Sequence, residues 1–188
     1  NAERIFPYLG GQEVNTSPAQ DFGRYVISFF DMPLEEAERW PDLISIVREK
    51  VKPERDKVNR EAHRKYWWHY ADKRPALYAA IAPLKRCLVT SGVSTHLMFV
   101  FQPTDRIFSN ALYVFPLDRF SAFTVLQSRL HVAWAWLHSS TMKSDLRYAA
   151  SDCFENFPFP EPDPRTELPG LEAAGEALYA ARAAYMLE

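Results

Sequence analysis

Three short apolar stretches followed by one long amphipathic segment constrain the fold of this chain more than any other feature. The stretches are rich in β-branched and aromatic residues and are separated by polar loops, a pattern typical of strands. They lie at residues 86–90, 97–102 and 111–115. Residues 120–137 then carry apolar side chains at helical spacing and predict one long helix. The pattern indicates an α+β fold, in which a small, mostly antiparallel sheet packs on that long helix.

A helical arm is predicted before the sheet, over residues 33–81. It follows a strand-like stretch at 24–30 and begins at Pro33, after which acidic residues suit the positive end of a helix. A second helix with apolar residues at helical spacing comes next, and Pro53 either kinks it or starts another. Residues 75–81 predict a further short helix.

The breakers in the sequence predict how the chain is divided. Residues 1–23 are polar and turn-rich, so we expect a linker, with at most one short strand, that leads into a main domain at 24–157. Residues 158–170 are proline-rich and predict a second linker, and 171–188 predict the start of a C-terminal helical segment. Because the chain starts with Asn1 and stops inside a helical pattern, we expect it to be a fragment of a longer protein.

Charge is unevenly distributed along the chain. The net charge is −2 and the pI is about 6.2, a balance that counts against a nucleic-acid-binding protein. Residues 48–74, however, hold ten Lys or Arg and five Asp or Glu, a local charge of +5 against −7 for the other 161 residues. Phosphate binding needs only such a local stripe. A solvated helix with ion pairs such as Glu61 with Lys65 would have the same composition, so both interpretations stay open.

Motifs for catalysis and cofactor binding are absent from the sequence. Gly10 and Gly11 lack the spacing and the preceding strand of a dinucleotide-binding loop, and there is no P-loop lysine motif. His131 and His138 are seven residues apart, about 10 Å along a helix, which is too far to share one metal ion. Contact between Ser128 and His131 is expected to be structural rather than nucleophilic. We therefore predict no catalytic residue, no cofactor and no metal in this chain.

The cysteines and the hydropathy of the chain bear on its location. Cys87 and Cys153 lie far apart in the sequence and suit a reduced protein better than a disulfide scaffold. No run approaches the ~18 apolar residues that a membrane span needs, and the N-terminus lacks the pattern of a signal peptide. We therefore predict a cytoplasmic protein that does not contact a membrane.

Eight segments of the chain together resemble the region that follows the catalytic domain in MmeI-like adenine-specific DNA methyltransferases of the restriction–modification kind. Their order and spacing match over nearly the whole chain, although each motif alone is weak. The segments are FPYLGGQEVNTSP (6–18), RWPDLISIVREKVKPERDK (39–57), YWW (66–68), RPALYAAI (74–81), VTSGVSTH (89–96), FTVLQSRLHVAW (123–134), RYAASDCFENFPFP (147–160) and LYAARAAYM (178–186).

This resemblance implies a target-recognition domain that binds a specific sequence of double-stranded DNA. In that family the adenine pocket and the S-adenosylmethionine loop lie upstream, and this chain contains neither motif. The implied partners are double-stranded DNA and the catalytic domain of the same parent chain, to which residues 1–23 would be the linker. The parent would be an S-adenosylmethionine-dependent adenine-N6 methyltransferase, with or without endonuclease activity. Family members often carry a larger polar or basic residue at the position of Gly92, which implies a different target base.

Such a domain needs cations that contact phosphates and polar side chains that reach base edges. As phosphate contacts we predict Lys73, Arg74, Lys143 and Arg147. For base readout we predict polar side chains of two loops, namely Ser91, Ser94, Thr95, His96, Arg106, Ser109 and Asn110. All of these are also ordinary surface or turn residues, so that interpretation stays open for each. The aromatic residues Tyr66, Trp67 and Trp68 are expected to pack in the core beside Leu77 and Ile81 rather than to stack on bases.

A second function stays open from the sequence alone. The near-neutral net charge and the 13 Phe, 9 Tyr and 5 Trp also suit a protein-interaction or scaffolding domain of a DNA-modification or phage-defence complex. Salt-sensitive binding to DNA would favour the first function, and a salt-insensitive protein partner would favour the second.

Overall fold

The structure, a computed structural model, describes residues 1–70 and 73–187. It contains both helices and strands, and the strands form three separate three-stranded sheets. Every strand pair is antiparallel except one. The predicted α+β class with small, mostly antiparallel sheets is therefore confirmed.

The first sheet is built around the N-terminal segment. Its central strand β1 (Ile5–Leu9) pairs antiparallel with β2 (Arg24–Ile27) and parallel with β6 (Ile107–Phe108). Helix α1 (Gly11–Thr16) follows β1 directly. Residues 1–23, for which the sequence predicts a linker with at most one short strand, supply the central strand of a sheet and a helix.

The same segment also contributes to the core. Leu9 and Val14 are fully buried in a cluster with Val89, Val100 and Phe108. An alternating pattern would have revealed the strand, but Pro7 interrupts it and the apolar run is only five residues long. The domain boundary at residue 24 itself stays a prediction.

The predicted helical arm consists of five short helices. They are α2 (Leu34–Ala37), α3 (Pro41–Lys50), α4 (Lys52–Asp56), α5 (Glu61–Lys65) and α6 (Pro75–Ile81). Proline stands in the first turn of α3, α4 and α6. It is tolerated there because a backbone N–H in the first turn has no acceptor within the helix. The prolines therefore divide the arm into short helices that have to be held by packing.

A small core of its own holds the arm together. Trp67 is buried with Phe29, Leu43, Ile44 and Val47, so its predicted core packing is confirmed. Its neighbours are not the predicted Leu77 and Ile81, which pack against the β1 cluster. The indole N–H of Trp68, which is half-buried, donates to the carbonyl of Met32 at 2.8 Å.

Tyr66 does not join this core. Its side chain is 41% exposed, so the prediction that it packs in the core is wrong. It stands at the end of α5, where the chain leaves the helix, and stacks on the ring of His69 instead.

The second sheet contains the three strands that the sequence predicts most clearly. Strand β3 (Arg86–Ser91) lies between β5 (Val100–Pro103) and β7 (Leu112–Phe115). Alternate residues of β3 face two different clusters, since Leu88 packs with Phe99 and Val89 packs with Leu9. This central strand is therefore buried on both faces.

A third sheet was not predicted. Strands β8 (Ser140–Met142) and β9 (Asp145–Arg147) form a hairpin, and β9 also pairs with β4 (Val93–Ser94). The two residues of its turn are polar, and Lys143 has a left-handed backbone with φ of 59°. The hairpin places Arg147 opposite Val93, just after β3, and carries Lys143 in its turn.

The long helix predicted over 120–137 is two helices, α7 (Phe120–Leu126) and α8 (Arg129–His138). Ser128 starts the second one, because its Oγ accepts the backbone N–H of His131 at 3.2 Å as an N-cap. The expected contact between Ser128 and His131 is thus structural. Gln127, between the helices, accepts the N–H of Phe99 at 3.0 Å and so attaches the break to β5.

The short helix α9 (Ala150–Cys153) follows β9 in the chain and contacts α8. The C-terminal helix α10 (Pro169–Leu187) packs along α7. The carboxylate of Glu172 accepts the backbone N–H groups of Phe120 and Ser121, at 3.1 and 2.7 Å, and so caps α7. Burial raises the pKa of Glu172, but the hydrogen bonds from Ser121 and Phe120 outweigh burial and hold this pKa below its usual value. No helix in residues 1–70 and 73–187 is long and apolar enough to cross a membrane.

Candidate functional site

An open cleft lies where the second and third sheets meet, and we call it the Gly92 cleft. Its volume is about 370 Å³. Its walls come from four stretches of the chain, so only the tertiary structure brings them together. The lining residues are Gly11, Asn15, Ser91, Gly92, Val93, Asn110, Ala111, Tyr113, Arg147 and Tyr148.

Backbone hydrogen bonds on both sides of Gly92 hold the cleft in shape. The N–H of Gly92 donates to the carbonyl of Ala111 at 2.8 Å, and the N–H of Tyr148 donates to the carbonyl of Gly92 at 3.0 Å. A Cβ at position 92 would lie 3.2 Å from that Ala111 oxygen and 3.4 Å from the ring of Tyr113. Glycine therefore allows the three segments to approach closely, and any side chain there would narrow the cleft.

Arg147 is the one charged residue among those that line the Gly92 cleft. It is exposed on β9, opposite Val93 on one side and Ser140 on the other. Lys143 is exposed at the tip of the same hairpin. The hairpin is tied to the neighbouring loop, because the hydroxyl of Thr95 donates to Asp145 at 2.9 Å. Two of the four predicted phosphate contacts therefore lie on one hairpin, and one of them, Arg147, lines the cleft.

The structure gives the predicted base-reading residues different environments. Ser91 and Asn110 both line the Gly92 cleft, and Asn110 is exposed. The hydroxyl of Ser91 is already occupied, since it donates to Val93 at 2.9 Å and accepts from Asn15 at 3.2 Å. Thr95 and His96 are exposed just beyond β4. Ser91, Asn110 and Arg147 are thus the predicted residues that meet in one place.

Two further serines are buried. Ser94 and Ser109 are each 7% exposed, and the Ser109 hydroxyl accepts the N–H of Ala111 at 3.2 Å. This bond is typical of a serine that holds a turn. In the structure Ser109 therefore shapes the loop that presents Asn110.

Arg106 lies away from the Gly92 cleft and is 6% exposed. Its guanidinium donates to Asp21 at 2.9 Å and to the side chain of Gln102 at 2.7 Å. These bonds hold the segment before β2 against the turn between β5 and β6. Its predicted contact with a base remains untested, but its hydrogen bonds in the structure are internal.

Lys73 and Arg74 also have internal partners. Lys73 forms an ion pair with Asp31, and this bond holds the pKa of Asp31 below its usual value. Arg74 has a left-handed backbone, φ of 46°, and donates to the carbonyls of Ser109 and Leu112 at 3.1 and 3.4 Å. Arg74 thus binds the loop that carries Asn110 on both sides of that residue.

A buried pair of side chains supports the Gly92 cleft from beneath. The hydroxyl of Tyr148, which lines the cleft, is 3.1 Å from Nε2 of His131, and Nδ1 of that ring has no hydrogen-bond partner. Burial lowers the pKa of His131 to about 4 and raises that of Tyr148. Both side chains are therefore neutral at neutral pH.

Three contributors to the cleft were missed at the level of sequence: Asn15, Tyr113 and Tyr148. Asn15 donates to the carbonyl of Val93 at 3.1 Å and so joins α1 to the cleft. It lies in the motif at 6–18 that carries the resemblance, which was the one available signal. Within the described residues no cluster of His, Cys, Asp or Glu could hold a metal ion.

Comparisons with known proteins identify relatives of this chain. A family model described as MmeI, target recognition domain, matches residues 1–161. The DNA methyltransferase A of Bacillus subtilis (strain 168) is 37% identical over 57 residues, which is 30% of this chain and 6% of that protein. The fold is similar to the type IIL restriction-modification enzyme MmeI in complex with DNA, with a TM-score of 0.66 and 19% identity. That match covers 96% of this chain and 22% of the other, so the chain spans a minor part of either protein.

Proposed function

Because the chain belongs to the MmeI target recognition domain family, we propose that it binds a specific sequence of double-stranded DNA through the Gly92 cleft. The observation that carries the proposal is the meeting of an exposed amide and an exposed guanidinium in one open cleft, whose wall a serine supports. Asn110, Ser91 and Arg147 come from three separate segments and line it together. These are the groups with which proteins read base edges and hold phosphates.

The roles follow from the chemistry of each group. The amide of Asn110 is exposed and has the donor and acceptor that match adenine in the major groove. Lys143 and Arg147, on the β8–β9 hairpin, are the phosphate contacts that set the register of the duplex. Ser91 is held by Asn15 and supports the wall of the cleft.

The proposal extends to the parent protein and its location. Target recognition would serve an S-adenosylmethionine-dependent adenine-N6 methyltransferase, whose catalytic domain would be the intramolecular partner of this chain. This chain would place the DNA, and the cofactor would bind to the catalytic domain. Cys87 and Cys153 are both free and buried, as suits a protein of the reducing cytoplasm.

Selection from a random duplex pool tests the proposal. The wild-type chain is expected to enrich one sequence motif, and Asn110→Ala is expected to relax the preference at one position by about 1–3 kcal/mol. Arg147→Gln is expected to weaken binding to all duplexes and to lower the salt slope by about 1.

The control is Arg129→Gln. Arg129 is exposed at the start of α8 and does not line the Gly92 cleft, so this variant should keep both motif and affinity. A folded chain that binds duplexes without enriching any motif, or that binds no duplex at low ionic strength, would contradict the proposal.

A further inference from the structure

A second cleft lies in the helical arm, and we call it the arm cleft. Its volume is about 340 Å³. Among the described residues that line it are three cations, two imidazoles and two phenols, and none of these described residues is a carboxylate. Those residues are Arg55, Arg60, Ala62, His63, Tyr66, His69, Tyr70 and Lys73. A concave surface of one charge sign concentrates its potential and attracts ions of the opposite sign.

The two arginines carry the unbalanced charge of the arm cleft. Within the described part of the chain, neither Arg55 nor Arg60 forms an ion pair or a side-chain hydrogen bond. Two carboxylates beside Arg55 are paired with other cations, since Glu54 binds Lys57 at 2.7 Å and Asp56 binds Lys52 at 2.9 Å. Glu61, next to Arg60, does not line the arm cleft. Lys73 contributes less, because Asp31 neutralises it.

One buried ring completes this arrangement. His69 is 8% exposed, its Nε2 is 2.8 Å from the carbonyl of Met32, and its Nδ1 has no hydrogen-bond partner. Tyr66 stacks flat on that ring at 5.3 Å and has the ammonium of Lys73 5.8 Å from its own centre. The rings therefore form a packed wall beside the two arginines.

The arm cleft is connected to the Gly92 cleft through adjacent residues. Lys73 lines the arm cleft, and the next residue, Arg74, binds the carbonyls of Ser109 and Leu112. Ser109 and Leu112 flank Asn110 and Ala111 in the sequence, and Asn110 and Ala111 line the Gly92 cleft. Two consecutive residues, Lys73 and Arg74, therefore link the arm cleft to the loop that carries Asn110.

We propose that the arm cleft binds a backbone phosphate of the duplex whose bases lie in the Gly92 cleft, with Arg55 and Arg60 as the phosphate ligands. This inference rests on the proposed function. The planar guanidinium donates two parallel hydrogen bonds to phosphate oxygens, and arginine is the residue best suited to that contact. Such a contact increases affinity for every sequence equally and carries no sequence information.

The test compares Arg55→Gln/Arg60→Gln with a control of equal charge change, Lys52→Gln/Lys57→Gln. The control residues lie in the same arm, but they are paired with acids and do not line the arm cleft. The arginine variant is expected to bind all duplexes about tenfold more weakly and to lower the salt slope by about 1–2, without changing the enriched motif. Equal behaviour of the two variants overturns the proposal.

Two further outcomes separate the possible failures. If the wild type enriches no motif but the arginine variant still loses duplex affinity and salt slope, the proposed function fails and the phosphate contact stands. The other source of phosphate is a free nucleotide, so ATP is titrated at constant ionic strength and followed by tryptophan fluorescence. ATP binding that depends on the two arginines, with duplex binding unchanged in the variant, would overturn the assignment to DNA.

Discussion

The two clefts are built in different ways. The Gly92 cleft stands on strands β3, β4 and β9, and hydrogen bonds fix the backbone on both sides of Gly92. Arg147 is the one charge among its lining residues. The arm cleft lies among short helices that are divided by prolines, and it has three cations.

The difference matches two separate requirements of sequence recognition. Reading a base edge needs a donor and an acceptor held to within a few tenths of an ångström, which a hydrogen-bonded sheet provides. Binding a phosphate needs charge and tolerates imprecise placement, because the electrostatic attraction is long-ranged. We expect changes in the Gly92 cleft to alter specificity and changes in the arm to alter affinity.

Acid should destabilise the chain through His131, the buried histidine that contacts Tyr148 in the Gly92 cleft. The pKa of buried His131 is about 4 in the folded chain against an ordinary 6.5, so the unfolded chain binds the proton first as the pH falls. Stability that is present above about pH 6.5 is therefore lost towards pH 4, by about 3 kcal/mol. Denaturant unfolding of the wild type and His131→Gln over this range measures the effect. An equal loss in both proteins would contradict it.

Filling the floor of the Gly92 cleft should abolish discrimination but not binding. In Gly92→Leu the new Cβ lies 3.2 Å from the Ala111 oxygen, so the loop has to move and the side chain occupies the cleft. Affinity for the selected duplex should fall about 10- to 100-fold, while affinity for random duplex is retained by the arm. Fluorescence anisotropy measures both. The control is Gly23→Leu, because no atom lies within 4 Å of a Cβ at Gly23; equal losses on both duplexes would refute the division of roles.

Removing the hydroxyl beneath the Gly92 cleft should lower stability by a smaller amount. Tyr148→Phe leaves Nε2 of His131 without its partner at 3.1 Å, in a ring whose Nδ1 already has none. The free energy of unfolding should fall by about 1–2 kcal/mol. Each kcal/mol lost should lower Tm by about 2–4 °C. Tyr25→Phe is the control, since Tyr25 is 63% exposed. An unchanged Tm in Tyr148→Phe would show that the buried hydroxyl contributes nothing.

The neighbours Lys73 and Arg74 should have separable effects, although the sequence suggests the same role for both. Arg74→Gln removes two bonds to the loop that carries Asn110, so motif preference should weaken by about 1 kcal/mol. Lys73→Gln breaks one partly exposed ion pair and should change binding by less than about 1 kcal/mol. Duplex selection and anisotropy measure the two effects. A larger loss of affinity in Lys73→Gln would place the main phosphate contact at Lys73.

The fold was predictable where the local signal is strong. The β-branched and aromatic stretches at 86–90 and 111–115 lie on strands, and proline marks the start of α3 and α6. The break at Ser128 was missed, because its flanks are apolar at helical spacing and the cap depends on one hydroxyl. The sequence left room for one short strand within residues 1–23 but did not locate β1, because this strand is short, contains Pro7, and is completed by partners farther along the chain.

The candidate site was predictable in its residue types more than in its geometry. Asn110, Ser91 and Arg147 were selected for their chemistry, and they meet in one cleft. Arg106 has the same chemistry, yet Asp21, 85 positions away in the sequence, binds its guanidinium. Arg55 and Arg60 were visible only as part of the +5 segment, because the pairing of Lys52 and Lys57 with acids is a matter of geometry.

The sequence by itself determined the fold class, the family to which the chain belongs and the residue types available for DNA recognition, because periodicity, breakers and ordered motifs are local properties. Only the tertiary structure decided which of those residues are free to bind. A cation at the surface and a cation committed to an internal carboxylate look alike in sequence, since the partner is chosen by packing between distant segments. Arg74 and Arg147 illustrate this: one holds a loop of the protein, and the other lines the Gly92 cleft.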